Sequence, residues 1–173
     1  MAARPPKTNI VLIGMPGSGK STVGVLLAKR AAMSFVDTDL LIQAAEGRSL
    51  QSIIDTDGYE VLRQIEERVL LAIDLENHVI ATGGSAVYSE RAMTHLGNSG
   101  TIVFLDVSLA TVEARIGDFS MRGISRRVDQ SIAELFEERY QLYKRFADIT
   151  IAGNARNQEE VCGQILQAAR LES

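Results

Sequence analysis

The chain has 173 residues, 46% of them hydrophobic and 23% charged, which is one domain's worth of ordinary globular composition. A chain of this size can bury about 70% of its extended surface without staples, and a single cysteine, Cys162, with His78 and His95 as the only histidines, excludes an internal disulfide framework and a zinc constellation. The net charge of −4 does not favour broad binding of nucleic acid, no apolar run approaches membrane-spanning length, and Met1 to Lys7 lacks the apolar core of a secretory signal, so cytoplasmic residence is the default reading.

In chain order, Asn9-Ile10-Val11-Leu12-Ile13 reads as a short buried strand and Ser21 to Ala32 as an amphipathic helix. Between them, Gly14-Met15-Pro16-Gly17-Ser18-Gly19-Lys20-Ser21-Thr22 completes the phosphate-binding pattern G-x-x-x-x-G-K-[ST] in the strand–loop–helix context its mechanism needs. Glycines let successive amide N–H groups turn inward on phosphate oxygens, and the helix N-terminus adds partial positive charge. Lys20 is placed to reach the outer phosphates, and the Ser21 hydroxyl to ligate Mg²⁺.

Ser34 to Val36 reads as a second strand running into Asp37-Thr38-Asp39, where two alternating acids in an extended backbone share one side. One carboxylate can serve Mg²⁺ and the other a substrate hydroxyl; alternatively, both cap the helix Leu40 to Glu46, and the upstream phosphate loop favours the ligand reading. A short helix, Leu50 to Asp55, follows with Ser49 as its cap, and then a longer one from Tyr59 to about Leu75, whose Leu62, Ile65, Val69 and Ala72 form an inward stripe. Arg63 and Glu66 on that helix are either a surface ion pair or an arginine aimed at an anion by its glutamate, and both readings stay open.

His78 to Ala81 is the third strand and runs into Thr82-Gly83-Gly84-Ser85, where paired glycines mark a sharp turn or a close approach to ligand. Glu90 to Leu96 reads as helix, Asn98-Ser99-Gly100 as a turn, and Thr101 to Leu105 as a fourth strand ending in Asp106, a weaker metal candidate than Asp37. After a helix from Leu109 to Ile116 capped by Ser108, periodicity disappears between Gly117 and Gln130. An arginine-rich stretch of that length reads as a lid that excludes water, with Arg122 as the cation brought to the γ-phosphate and Arg126 and Arg127 solvated. Ser131 to Phe146 is a helix, Asp148 to Ile151 a fifth strand, and Gln158 to Leu171 a closing helix with Cys162 in the core. Five strands alternating with helices predict one parallel three-layer α/β/α sandwich, with the crevice along the strands' carboxyl ends.

Taken together, the phosphate loop, Asp37-Thr38-Asp39, Arg63-Gln64-Ile65-Glu66, Thr82-Gly83-Gly84, Arg122 and Arg139-Tyr140-Gln141-Leu142-Tyr143 resemble, in order and spacing, the shikimate kinases over nearly the whole chain. The resemblance implies the nucleoside-monophosphate-kinase type of P-loop fold with strand order 2-3-1-4-5, substrate-binding helices over about 38–75, a lid over about 117–130, a monomer, and ATP-dependent phosphorylation of the shikimate 3-hydroxyl. By position it implies ATP contacts from Gly17, Ser18, Gly19, Lys20, Ser21, Thr22 and the lid Arg122, with Arg115 and Arg156 at the adenine. It also implies Mg²⁺ support from Ser21 and Asp37, a hydroxyl partner in Asp39, a carboxylate grip from Arg63 and Arg139, and a substrate loop of Gly83 and Gly84. The chain departs from the family pattern at Ser85, where a third glycine is usual, at Leu62 and Ile54, where aromatics are usual, and at Gly123, where proline commonly follows the lid arginine. Ser85 puts a hydroxyl beside the acceptor pocket. A kinase for another small hydroxy-acid or sugar acid, and a nucleotide-binding regulatory module without transfer, are the alternative readings.

Overall fold

Strand β1, Asn9–Ile13, is buried along its whole length, and its period of two sends alternate residues to opposite faces. Ile10 and Leu12 join Val23, Leu27, Val161 and Ile165 on one face, while Val11 and Ile13 join Leu70, Met93, Val112 and Leu135 on the other. Both faces of the sheet are therefore covered, which is why its strands read as near-continuous apolar runs. The structure is a computed structural model that describes residues 6–117, 123–154 and 157–171.

The remaining elements are α1 (Lys20–Ala31), β2 (Ser34–Asp37), α2 (Thr38–Glu46), α3 (Leu50–Asp57), α4 (Tyr59–Leu71), β3 (His78–Ala81), α5 (Glu90–Ser99), β4 (Gly100–Asp106), α6 (Leu109–Ile116), α7 (Ile132–Phe146), β5 (Ile149–Ala152) and α8 (Gln158–Leu171). All strand pairs are parallel, in the order β2-β3-β1-β4-β5. From β1 the chain moves to the β2 side, and from β3 it crosses β1 to reach β4. That reversal opens a crevice at the carboxyl ends of β1, β3 and β4. A third, smaller cluster, with Ile42, Ile53, Leu62 and Ile65 at its centre, packs α2, α3 and α4 beside the crevice.

Several boundaries differ from the sequence reading. Asp39 stands in the first turn of α2, not in extended chain, so the alternation argument for a shared side does not apply to it. α4 ends at Leu71, and its buried stripe is Leu62, Ile65, Glu66 and Leu70, whereas Ala72 is exposed. α5 continues to Ser99 and passes directly into β4 at an extended Gly100, which replaces the expected turn. Asp148 lies just outside β5, where its N–H donates to Ile102 O at 2.9 Å and its carboxylate accepts from Ile102 N–H at 2.8 Å. Ser131 is not helical; it closes a capping box with Glu134. A short 3₁₀ turn, Ala86–Tyr88, was not anticipated.

Asn9 ties the amino ends of these elements together: it is 2% exposed, donates to Leu75 O at 2.6 Å and accepts from His78 N–H at 2.9 Å. Asn9→Ala removes both partners and is expected to cost about 1–3 kcal/mol in urea unfolding; an unchanged midpoint would show that water replaces the amide freely.

Candidate active site

Gly17 (φ 77°) and Gly19 (φ 98°) hold left-handed backbone that a side chain would strain, and this lets the loop curl over the start of α1. Lys20, 7% exposed, turns back into the loop and donates to Gly14 O at 2.7 Å and Met15 O at 2.8 Å. Burial lowers its pKa to about 8, against the opposing pull of the Asp39 and Asp37 carboxylates. A cavity of about 320 Å³ opens over Gly17, Gly19, Lys20, Ser21 and Thr22 and reaches Asp39 and Arg139. Ser18 and Arg115 line an adjoining cavity of about 340 Å³ that shares Gly17, Gly19 and Thr22, where the Arg115 guanidinium donates to the Gly17 and Ser18 carbonyls at 3.3 Å. Arg122 and Arg156 lie outside the described residues.

At the end of β2, Asp37 performs both tasks that the sequence left as alternatives. Its Oδ1 caps α2 by accepting from Asp39 N–H at 2.9 Å, and its Oδ2 accepts from the Ser21 hydroxyl at 2.5 Å. Asp39 makes no cap and projects into the cavity, where burial and the nearby Asp37 raise its pKa to about 6. Asp106 is instead engaged by the Tyr140 hydroxyl at 3.3 Å.

On the far wall, Arg139 is 1% exposed on α7 and Arg63 is partly buried on α4. Both turn to Ser125: its carbonyl accepts from Arg139 Nη2 at 2.5 Å and from Arg63 Nη2 at 3.4 Å, and its hydroxyl accepts from Arg63 Nε at 2.9 Å. Tyr88 lies under both guanidinium groups, with its ring centre 3.7 Å from Arg63 and 5.4 Å from Arg139. Two arginines converging on one oxygen form a site shaped for a planar anion. Ser125 and Tyr88 carry no motif and were missed in the sequence. Of the two lid arginines expected to be solvated, Arg127 is exposed beside Glu138, whereas Arg126 is partly buried and donates to Gln130 O.

Gly83 and Gly84 are required by space. A β-carbon on Gly83 would lie 2.4 Å from Glu66 Oε1 and 2.8 Å from Asp39 Oδ1, and one on Gly84 would lie 2.6 Å from Arg139 Nη1 and 2.8 Å from Pro16. Their turn is held by Thr38 Oγ1, which accepts from Gly83 N–H at 3.2 Å, and by the Tyr143 hydroxyl, which donates to Gly84 O at 2.7 Å.

Glu66 resolves differently from either sequence reading. Among the described residues it forms no ion pair with Arg63; it is 3% exposed in the cavity wall, where its Oε2 accepts from the Ser85 hydroxyl and its Oε1 has no partner. Burial raises its pKa to about 7, with Asp39 adding to the rise and the Ser85 hydrogen bond opposing it. The helical spacing from Leu62 was the available signal, since Glu66 lies one turn on from that buried residue. Leu62 lines the cavity, and Ile54 packs in the cluster behind it.

A phosphate-binding loop therefore opens onto the same cavity as Arg139 and a carboxylate that can take a hydroxyl proton, and Arg63 reaches the Ser125 it shares with Arg139 from the adjoining cavity. The family model for shikimate kinase matches residues 16–170. The chain belongs to the shikimate kinase family. A shikimate kinase of Sulfurihydrogenibium sp. is 37% identical over 91% of this chain and 95% of its own length. Among solved structures, the shikimate kinase of Aquifex aeolicus matches at 37% identity and TM-score 0.81, covering 94% of this chain and 96% of its own. The shikimate kinase of Acinetobacter baumannii in complex with shikimate matches at 27% identity and TM-score 0.83, covering 96% and 94%. The sheet order and the strand–loop–helix phosphate site are those expected from the family resemblance, and no helix among the described residues is long and apolar enough to cross a membrane.

The raised Glu66 pKa has a consequence for stability. The folded chain holds this proton more tightly than the unfolded one, so the contribution is fully present below about pH 4.5, the ordinary value, and is lost as pH rises through about 7. Glu66→Gln is expected to flatten the fall in unfolding free energy between those limits; parallel profiles for the parent and the variant would place the Glu66 pKa near its ordinary value.

Proposed function

We propose that the chain transfers the γ-phosphoryl group of ATP to the 3-hydroxyl of shikimate, giving shikimate 3-phosphate and ADP. The observation that carries this reading is the convergence of Arg63 and Arg139 on one oxygen of Ser125, where Ser125 and Arg139 line the cavity that also holds Lys20 and Asp39 and Arg63 lines the adjoining one. The acceptor's carboxylate takes the place of the Ser125 carbonyl between the two guanidinium groups, which leaves a ring hydroxyl directed at Asp39. Tyr88 beneath the arginines and Tyr143 behind Gly84 keep that grip rigid. Gly83 and Gly84, without β-carbons, let the acceptor approach the backbone.

Phosphoryl transfer needs positioning and charge neutralisation more than covalent help from the protein. The amides from Gly17 to Thr22 cradle the phosphates, Arg115 and Arg156 flank the base, and Lys20 exchanges its loop carbonyls for phosphate oxygens. Arg122 comes from the lid to the γ-phosphoryl. Asp39 orients the attacking hydroxyl and accepts its proton as the bond to phosphorus forms and that to the β-phosphate oxygen breaks. Its raised pKa, about 6, still leaves it mostly ionised at neutral pH and more basic than an ordinary aspartate. Ser21 Oγ and Asp37 Oδ2, hard oxygens 2.5 Å apart, suit Mg²⁺, an ion that takes few protein ligands and completes its shell with water and phosphate. Ser21 would ligate it and Asp37 would support it; when bound, the ion would supply neutralisation of the phosphate charge. The protein acts as a cytoplasmic monomer and a single domain, in which helices over about 38–75 and a lid over about 117–130 close on the substrates.

The test is ADP release by purified protein with ATP and Mg²⁺, comparing no acceptor, shikimate, quinate and gluconate. Strong stimulation by shikimate alone is expected; no stimulation while ATP still binds would overturn the assignment. Asp39→Asn is expected to lower kcat by about 10²-fold or more with ATP affinity retained, and a kcat within a few-fold of the parent would remove Asp39 from the proton transfer.

A further inference from the structure

Ser85 follows the glycine pair in αR backbone (φ −93°, ψ 0°) that any residue adopts, so its identity is not set by the turn. It is 8% exposed, and its hydroxyl is spent on one contact, donation to Glu66 Oε2. The other carboxylate oxygen, Oε1, has no partner among the described residues and lies against Gly83, as does Asp39 Oδ1. Ser85 and Glu66 line both the main cavity and a second one of about 250 Å³ that is bounded by Arg63 and Tyr88. The groups facing Glu66 are Asp39 from α2, Arg63 from its own helix, Arg139 from α7 and Lys20 from α1. A glycine in place of Ser85 leaves both oxygens of a buried carboxylate without a donor, an arrangement that favours the neutral acid.

We propose that Ser85 is a positioning residue of the acceptor pocket, whose hydroxyl fixes the direction and the ionised form of Glu66 so that Oε1 is presented beside Asp39. Above the Glu66 midpoint the chain then meets its acceptor with an anionic wall built from Glu66 and Asp39, suited to a polyhydroxylated acid whose carboxylate sits on Arg63 and Arg139. An isolated carboxylate in that wall could turn or take up a proton; the serine hydroxyl opposes both. The part of this inference that concerns the acceptor rests on the function proposed above, whereas the link between Ser85 and Glu66 does not.

Two readouts on the full-length protein test it. The first is carbon-13 titration of the Glu66 carboxyl, assigned by its loss in Glu66→Gln. In Ser85→Ala the midpoint is expected to move up from about 7 in the parent by about one pH unit, the effect of losing a hydrogen bond to a charged group. Ser85→Thr, which keeps the hydroxyl, is expected to stay with the parent. The second is the pH dependence of the shikimate KM, which is expected to fall through the Glu66 midpoint in the parent and to follow the displaced midpoint in Ser85→Ala, with kcat changing less. A common midpoint in parent and Ser85→Ala overturns the proposal, as does a displaced midpoint with superimposed KM profiles. If the parent does not phosphorylate shikimate, the proposed function fails, and the carboxyl titration alone still decides whether Ser85 controls Glu66.

Discussion

Lys20, Glu66 and Arg139 are buried in one cavity together with the partly buried Asp39, and this shared burial of charge is the constraint on which the rest of the structure depends. Desolvation is the largest influence on the titration of Lys20, Asp39 and Glu66, and it is opposed in part by their neighbours: Lys20 holds down Asp39, and Arg139 and Arg63 hold down Glu66. Removing one member leaves another uncompensated. The arrangement is expensive for a fold and useful for a reaction, because charges fixed by burial act on a substrate without having to reorganise.

The fold supplies the rigidity this requires. Each face of the sheet is packed by helices, so the carboxyl ends of β1 and β3 hold the phosphate loop and the glycine pair at fixed separation. Local devices finish the placement: Asp37 caps α2, Thr38 holds Gly83, and Tyr143 holds Gly84. The side that carries Arg63 is built more lightly, on the small cluster of α2, α3 and α4, and both arginines are held by Ser125 and by the Tyr88 ring beneath them. On the function proposed above, an acceptor carboxylate between Arg63 and Arg139 would displace the Ser125 carbonyl that both now hold.

The sheet was legible because buried parallel strands and amphipathic helices have distinct periods, and the phosphate loop because its glycines and lysine follow a spacing that its backbone geometry demands. Asp37, Asp39, Arg63, Arg139 and the glycine pair were legible as candidates through their joint order. What was not legible is what depends on contact between distant segments. Arg63 and Glu66 are three apart on one helix, and pattern alone suggested a pair, yet one turns to Ser125, 62 residues on, and the other to Ser85. Asp39 does line the cavity, but helix geometry, and not the extended chain that the Asp37-Thr38-Asp39 spacing suggested, directs it there. The continuation of α5 to Ser99 was hidden by Asn98 and Gly100, residues that ordinarily mark a turn, whereas Gly100 here begins a strand.

The most direct test of the account is the structure of the ternary complex with shikimate, Mg²⁺ and a non-hydrolysable ATP analogue. The account predicts the carboxylate bound by both Arg63 and Arg139, with Ser125 displaced from them, and the 3-hydroxyl on Asp39 facing the γ-phosphate. A carboxylate bound away from the two arginines, or a different group on Asp39, would contradict it.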